Sequence, residues 1–247
     1  MPDTTELSVV IPAYNEAERI GVTIERVSSY LKTRGLDYEI IIVSDGSSDS
    51  TERIVESYAR ENGRIRLVSY MPNRGKGFAV RTGILQARAK DVLFSDADLA
   101  TPLEELETLE RSARGCSIVV GSRALKDSTI IGWRPWYREL SGKIFNLIVR
   151  LVAVPGIRDT QCGFKLFKDG SAQRIFSIAQ ANGFAFDVEA LFLARKLGYG
   201  IAEVGVSWNN SPLTKVSVFK HTLPMIFEIF KVRVNDWKKR YEPPAHN

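Results

Sequence analysis

Five short runs rich in β-branched and apolar residues recur through the first half of the chain at nearly even spacing. They begin at Leu7 (LSVVI), Tyr38 (YEIIIVS), Ile65 (IRLVSY), Asp91 (DVLFS) and Ser117 (SIVVG), so successive starts lie 31, 27, 26 and 26 residues apart. That interval fits one strand plus one crossover helix, which parallel strands need because no tight turn can join them. Most of the runs are continuously apolar rather than alternating, as strands covered on both faces are. The segments between them read as helices. Ile20, Ile24, Val27 and Leu31 fall on one helical face, and Asp49-Ser50-Thr51-Glu52 has capping-box spacing ahead of Ile54, Val55 and Tyr58. Right-handed crossovers then give an α/β fold, a doubly wound and mostly parallel sheet with flanking helices. Ligands are expected beyond the carboxyl ends of its strands.

The rhythm breaks after residue 121. Residues 122–142 read as a loop rich in Arg, Trp and Gly, and 143–154 (KIFNLIVRLVAV) as an apolar helix interrupted by Arg150. A strand KLFK (165–168), a helix near 187–197 and a strand IAEVGVSW (201–208) follow, then a loop over 212–220. Residues 223–240 form an amphipathic helix pattern, with Ile226, Phe227, Phe230, Val234 and Trp237 apolar and Lys231, Lys238 and Lys239 elsewhere. The expected division is one domain over 1–211 and a basic amphipathic segment over 212–247, lying on a membrane surface or packed on the domain.

With 247 residues, 44% of them hydrophobic, the chain can bury a full core, which excludes a disordered tail or a disulfide scaffold. Two cysteines, Cys116 and Cys162, fit a reducing compartment. No run approaches the roughly 18 apolar residues of a membrane span, and Met1 to Leu7 lack a signal-peptide pattern. A cytoplasmic location is the expectation. The net charge of +5 is uneven: residues 134–150 carry +3 and residues 212–247 carry +4, leaving −2 elsewhere. Two basic patches point to an anionic partner or a solvated face.

Polar clusters follow the expected strands. Pro12-Ala13-Tyr14-Asn15-Glu16 comes after the first, Asp45 to Asp49 after the second, and Asp96-Ala97-Asp98 after the fourth. Singly, Asn15 and Asp49 read as helix caps and Asp45-Gly46 as a turn. Together, acids converging on one crevice repel one another unless a cation or hydrogen-bond donors neutralise them. Asp96 and Asp98 offer hard oxygens to a divalent ion, which takes one or two protein carboxylates and completes its shell with water and phosphate. Asn73 to Phe78 (NRGKGF) opens a helix after the third strand, where Arg74 and Lys76 could meet phosphate. It is neither a Walker loop nor a dinucleotide fingerprint. Further on, Asp159 to Lys165 crowds polar residues, and Asp187 and Glu189 open a helix, where acids favour the dipole.

The ordered set VVIPAYNE, VSDGSSDST, NRGKGFAVRTG, FSDADLAT, VVGSRA, GIRDTQCGFKLF, FAFDVEALFLA and IAEVGVSW, spanning about residues 7 to 208, resembles the inverting family-2 glycosyltransferases. Among these it is most similar to the dolichyl-phosphate β-glucosyltransferases, with the mannosyltransferases as relatives. The resemblance implies a GT-A fold, a nucleotide-sugar donor such as UDP-glucose, and Mg²⁺ or Mn²⁺. By motif, Pro12, Tyr14 and Glu16 would line the nucleoside pocket, Asp45 would accept from the base, and Lys76 would serve the nucleotide-sugar. Asp96 and Asp98 would hold metal, diphosphate and sugar. Arg123, Arg138 and Ser141 would face an acceptor phosphate, Asp159 and Gln161 would border it, and Asp187 would sit near the transferring sugar. Two departures stand out: Ala100 replaces a Gln that helps hold the metal in some mannosyltransferases, and no transmembrane run accompanies the motifs.

The acceptor decides the chemistry. A polyprenyl phosphate is already an anion and needs no general base, whereas a sugar hydroxyl would require one, Asp187 or Asp159. The basic late segments would then meet a membrane surface as a peripheral attachment. The competing class is a non-enzymatic basic protein binding nucleic acid or membrane through Trp133, Trp136 and Trp237. No nucleic-acid recognition motif supports it.

Overall fold

The computed structural model describes residues 5–132, 142, 146–209 and 218–242. The five expected strands form, alternating with helices: β1 (Leu7–Ala13), α1 (Ile20–Thr33), β2 (Tyr38–Asp45), α2 (Thr51–Glu61), β3 (Ile65–Tyr70), α3 (Lys76–Leu85), β4 (Asp91–Ser95), α4 (Glu105–Ser112) and β5 (Ile118–Ser122). The later part supplies β6 (Thr129–Ile131), a helical stretch α5 (146–152), β7 (Phe164–Phe167), α6 (Ser171–Phe176), α7 (Phe186–Lys196), β8 (Ile201–Gly205), β9 (Ser207–Asn209) and α8 (Val218–Trp237).

Seven strands make one sheet in the order β3-β2-β1-β4-β7-β5-β8. All neighbours are parallel except β7, which runs antiparallel between β4 and β5. The order reverses direction between β1 and β4, the point at which an open α/β sheet leaves a crevice at its carboxyl ends. The continuous apolar runs follow from this arrangement, since successive side chains enter opposite cores. Val9, Ile11, Ile40 and Ile42 pack with α1, α2 and α4, while Val10, Ile41 and Val43 pack with α3 and the layer shared by α5, α6, α7 and α8. A fully buried aliphatic side chain such as Ile24 or Val120 contributes about 2 kcal/mol.

Local departures from expectation have physical causes. The strand expected over 201–208 divides after Gly205, and Ser207–Asn209 leaves the main sheet to pair in parallel with β6, inside the segment read as loop. Only half the capping box at α2 forms. Asp49 Oδ1 accepts from Thr51 N, but Glu52 turns to Ser44 Oγ at 2.7 Å instead of reaching back. Asn15 does not cap α1, which starts five residues later; it takes a left-handed φ of 53° and bonds across to Ser48. The exception to apolar β2, Glu39, lies at the far end of the sheet from the crevice. There it accepts from Ser8 Oγ, Arg66 and the Arg88 amide, a wholly structural network. Met225, Ile229, Val232 and Tyr241 bring α8 and its C-terminal turn into the same core as α7.

Candidate active site

The loops that leave β1 and β2 are laced together. Asn15 N–H donates to Ser47 Oγ, Glu16 N–H to Thr51 Oγ1, and Ala17 N–H to Asp49 Oδ2. The serines, Asp49 and Thr51 of DGSSDST therefore shape one wall of the crevice. Pro12 sits in β1 beside Val43, Tyr14 is exposed at the strand's end, and Glu16 pairs with Arg19 at 2.8 Å.

Asp45 is buried and its carboxylate is occupied from within. It accepts from Tyr70 Oη at 2.9 Å, Asn73 Nδ2 at 3.0 Å, and the amides of Arg74 (2.7 Å) and Gly75 (2.9 Å). Burial and this carboxylate raise the Tyr70 phenol above its ordinary range. This carboxylate, expected to accept from a nucleobase, anchors the β3–α3 loop. Arg74 and Gly75 amides face Asp45, and Phe78 N–H goes to Asn182 O at 3.1 Å. Gly75, at φ 101°, and Gly77 let this turn press on residues 181–183, where a methyl at either would stand 2.5 Å from a carbonyl oxygen.

Lys76 leaves that turn and reaches Asp96, with Nζ 2.7 Å from Oδ1. Burial works against the ammonium charge, but Asp96, Asp187 and Asp98 outweigh it and raise its pKa. The Asp96-Ala97-Asp98 turn is fixed from three sides. Asp96 N–H donates to Gly163 O, Thr23 Oγ1 of α1 donates to Ala97 O at 2.6 Å, and Asn209 N–H of β9 donates to Ala100 O at 2.7 Å. Asp98 accepts from the Ala100 amide, yet burial and the neighbouring Asp96 raise its pKa. A buried carboxyl beside a second acid, as Asp98 is, is what a cation would relieve. Among the described residues no third His, Cys, Asp or Glu joins them as a ligand. Such a pair fits a hard divalent ion that takes its other ligands from water and phosphate.

On the opposite wall, Arg123 leaves β5 and grips Asp159 through Nε (2.7 Å) and Nη2 (2.8 Å), with its own amide on Oδ2. Glu203 of β8 accepts the amides of Arg158 and Asp159 and so holds this turn. Burial alone would raise the Asp159 pKa; Arg123 overrides it and holds the carboxyl at about 2. Burial opposes the charge of Arg123 too, but Asp159, with Asp96 farther away, raises its pKa. A carboxyl that acidic, clamped by a guanidinium, is a poor proton acceptor. Gln161 follows, its amide on Asp159 Oδ1. Cys162 is buried and pushed up to about 11 by burial, a structural thiol.

Asp187 opens α7 but is more than a dipole partner. Its Oδ1 lies 2.5 Å from Nζ of Lys165, which comes from β7 and is 1% exposed. Burial raises the Asp187 pKa, with Lys165 and Lys76 opposing. Glu189, one turn edge away, accepts from the Gln180 and Ala181 amides and Tyr241 Oη, so it closes the core under α8. Arg134, Arg138 and Ser141, with Trp133 and Trp136, lie outside the described residues. Sequence reasoning gives no role to Thr23 and Glu203, and none to Gly163 and Lys165 within the polar run that starts at Asp159. For Lys165 a signal existed: one lysine inside the apolar run Phe164 to Phe167.

α8 turns Met225, Ile229 and Val232 inward and leaves Phe227 (73% exposed), Phe230, Val234 and Trp237 (74%) outward, beside Lys231 and Lys238. Among the described residues no helix is long and apolar enough to cross a membrane.

Comparison with known proteins places this geometry. The chain is 38% identical to the dolichyl-phosphate β-glucosyltransferase of Drosophila melanogaster over 243 residues, 93% of this chain and 74% of that protein. It is 37% identical to the human protein of that name over 245 residues, covering 94% and 76%. The crystal structure of glucosyl-3-phosphoglycerate synthase from Mycobacterium tuberculosis, in complex with Mn²⁺, UDP and phosphoglyceric acid, superposes with a TM-score of 0.65 at 21% identity, over 98% of this chain and 80% of that one. The shared architecture is the GT-A fold. The family model described as Glycosyl transferase family 2 matches residues 8–176, and the chain belongs to that family.

Proposed function

We propose that the chain moves glucose from UDP-glucose to a polyprenyl phosphate of the dolichyl type, with inversion, at the cytoplasmic face of a membrane. The observation that carries this reading is the pairing of two unlike walls in one crevice: the acids Asp96 and Asp98 with Lys76 on one side, the Arg123–Asp159 clamp on the other. The first suits a nucleoside diphosphate and the second an acceptor anion. Relatives at 37–38% identity that bear the name dolichyl-phosphate β-glucosyltransferase support the same substrates.

In this reading Pro12, Tyr14 and Glu16 border the nucleoside, and Asp45 serves it indirectly by holding the β3–α3 loop. Asp96 and Asp98 would hold Mg²⁺ or Mn²⁺, which would supply positive charge to a leaving diphosphate. Lys76 brings a further positive charge to that side. Arg123, kept ionised and oriented by Asp159, faces the acceptor phosphate, with Arg138, Ser141 and Gln161 assigned there by motif. The phosphate attacks the anomeric carbon as an anion, so the chain's residues need only align it with the leaving group and stabilise charge at both ends. No base is required. The Arg123 clamp on Asp159 favours this over a hydroxyl acceptor that would use Asp159 as its base. The outward apolar face of α8, with Lys231 and Lys238, suits a headgroup layer and a peripheral attachment.

A donor panel tests the reading: UDP-glucose, UDP-galactose, GDP-mannose and UDP-GlcNAc with a short polyprenyl phosphate, with and without Mn²⁺. The expected product is a glucosyl phospholipid formed only with metal. Preference for another sugar, or no lipid product, overturns it.

A further inference from the structure

Lys165 stands at a junction that no motif reading assigns. β7 inserts between β4 and β5, so a lysine at its second position is enclosed by strands on both sides. Its Nζ lies 5.5 Å from the Phe94 ring centre and makes two short bonds, to Asp187 Oδ1 at 2.5 Å and to Cys162 O at 2.6 Å. An unpaired ammonium in that place would be untenable, and well-packed apolar residues often stabilise such a site as well as an ion pair does. Stability alone is therefore a weak reason for this pair.

The two partners supply a better one. Cys162 lies in the turn that carries Asp159, which clamps Arg123, and Gly163, whose carbonyl receives the Asp96 amide. Asp187 begins α7, directly after the 181–185 segment that touches the Lys76 turn. One ammonium thus ties the turn that supports both the donor-side acids and the acceptor-side arginine to the Asp187 carboxylate. We propose that Lys165 is a positioning residue for sugar transfer, fixing Asp187 against the reacting sugar and locking the 159–163 turn in register with it. The inference rests on the glycosyl-transfer reading but not on which sugar moves.

The test is a double-mutant cycle of Lys165→Met and Asp187→Asn. It is run in the full chain with whichever nucleotide-sugar the wild type turns over, so that donor identity is settled first and separately. Lys165→Met should lower kcat about 100-fold while donor KM stays within about threefold. Asp187→Asn in that background should cost less than about threefold more, because the two act as one unit. Lys165→Arg, which keeps charge and reach, should recover about tenfold of the loss. If Lys165→Met does not fold, Lys165→Gln, which keeps a donor toward Cys162 O without the charge, takes its place in the cycle. A folded Lys165 variant with unchanged kcat, or losses that multiply in the double variant, overturns the proposal.

Discussion

Gly163 lies so close to Asp96 that a methyl group on its α-carbon would stand 1.8 Å from Asp96 Oδ2. The glycine's carbonyl also receives the Asp96 amide at 3.0 Å, so the same residue supports the acid and leaves room for it. Gly163→Ala must push the carboxylate aside. The expected outcome is a fall of about 100-fold in kcat/KM, since a displacement near 1 Å at a reacting centre has that effect. Steady-state turnover, with near-UV circular dichroism to show an intact core, checks it; unchanged turnover would refute the steric account.

Asp98 supplies the second hard oxygen of the acidic pair. Asp98→Ala should abolish metal-dependent transfer and weaken UDP binding in the presence of Mn²⁺ more than in its absence. Calorimetric titration of UDP with and without the ion measures the difference directly. An equal loss in both conditions argues against metal binding at this residue.

Asp159 gives the fold a defined acid response. Its folded pKa of about 2 lies below the ordinary value of 3.8, so its contribution is complete above pH 3.8 and disappears as pH falls through about 2. The amount is about 2 kcal/mol. Asp159→Asn should remove this limb of the urea-stability profile. It should also cost about 3 to 5 kcal/mol at neutral pH, because Arg123 is left buried beside an uncharged partner. A variant that keeps both the acid limb and the wild-type midpoint contradicts the clamp.

The outward face of α8 makes a separable prediction. Phe227→Ser combined with Trp237→Ser should reduce co-sedimentation with anionic lipid vesicles at least about tenfold, given the apolar area that the two rings withdraw from contact. Turnover of a short, soluble polyprenyl phosphate should be unaffected. Undiminished vesicle binding would assign another role to this face.

Much of the architecture was legible because burial leaves a direct trace in sequence. The runs at Leu7, Tyr38, Ile65, Asp91 and Ser117 locate the strand starts to within a residue, and the inner strands are enclosed on both faces and admit little but apolar side chains. The acids and the arginine were legible as motifs, but their partners were not. Asp45 reads the same in sequence whether it faces a base or, as here, Tyr70, Asn73 and two loop amides, because backbone donors leave no signature. Lys165 leaves a signal, one lysine in a short apolar strand, but its enclosure follows only from the topology that places β7 in the middle of the sheet. The split between β8 and β9 depended on a pairing with β6, a contact between distant segments that periodicity cannot encode.

The central placement of β7 also sets an order of events during synthesis. Its neighbours, β4 and β5, are complete by residue 122, yet their shared partner begins only at Phe164. Until the ribosome has released that strand, two inner edges of the sheet stay open to pairing with other chains. Asp96 meanwhile lacks the carbonyl that receives its amide. A fragment ending before Gly163 therefore carries the acids of the donor side with Thr23 and Lys76, but not the carbonyl that holds the Asp96 amide.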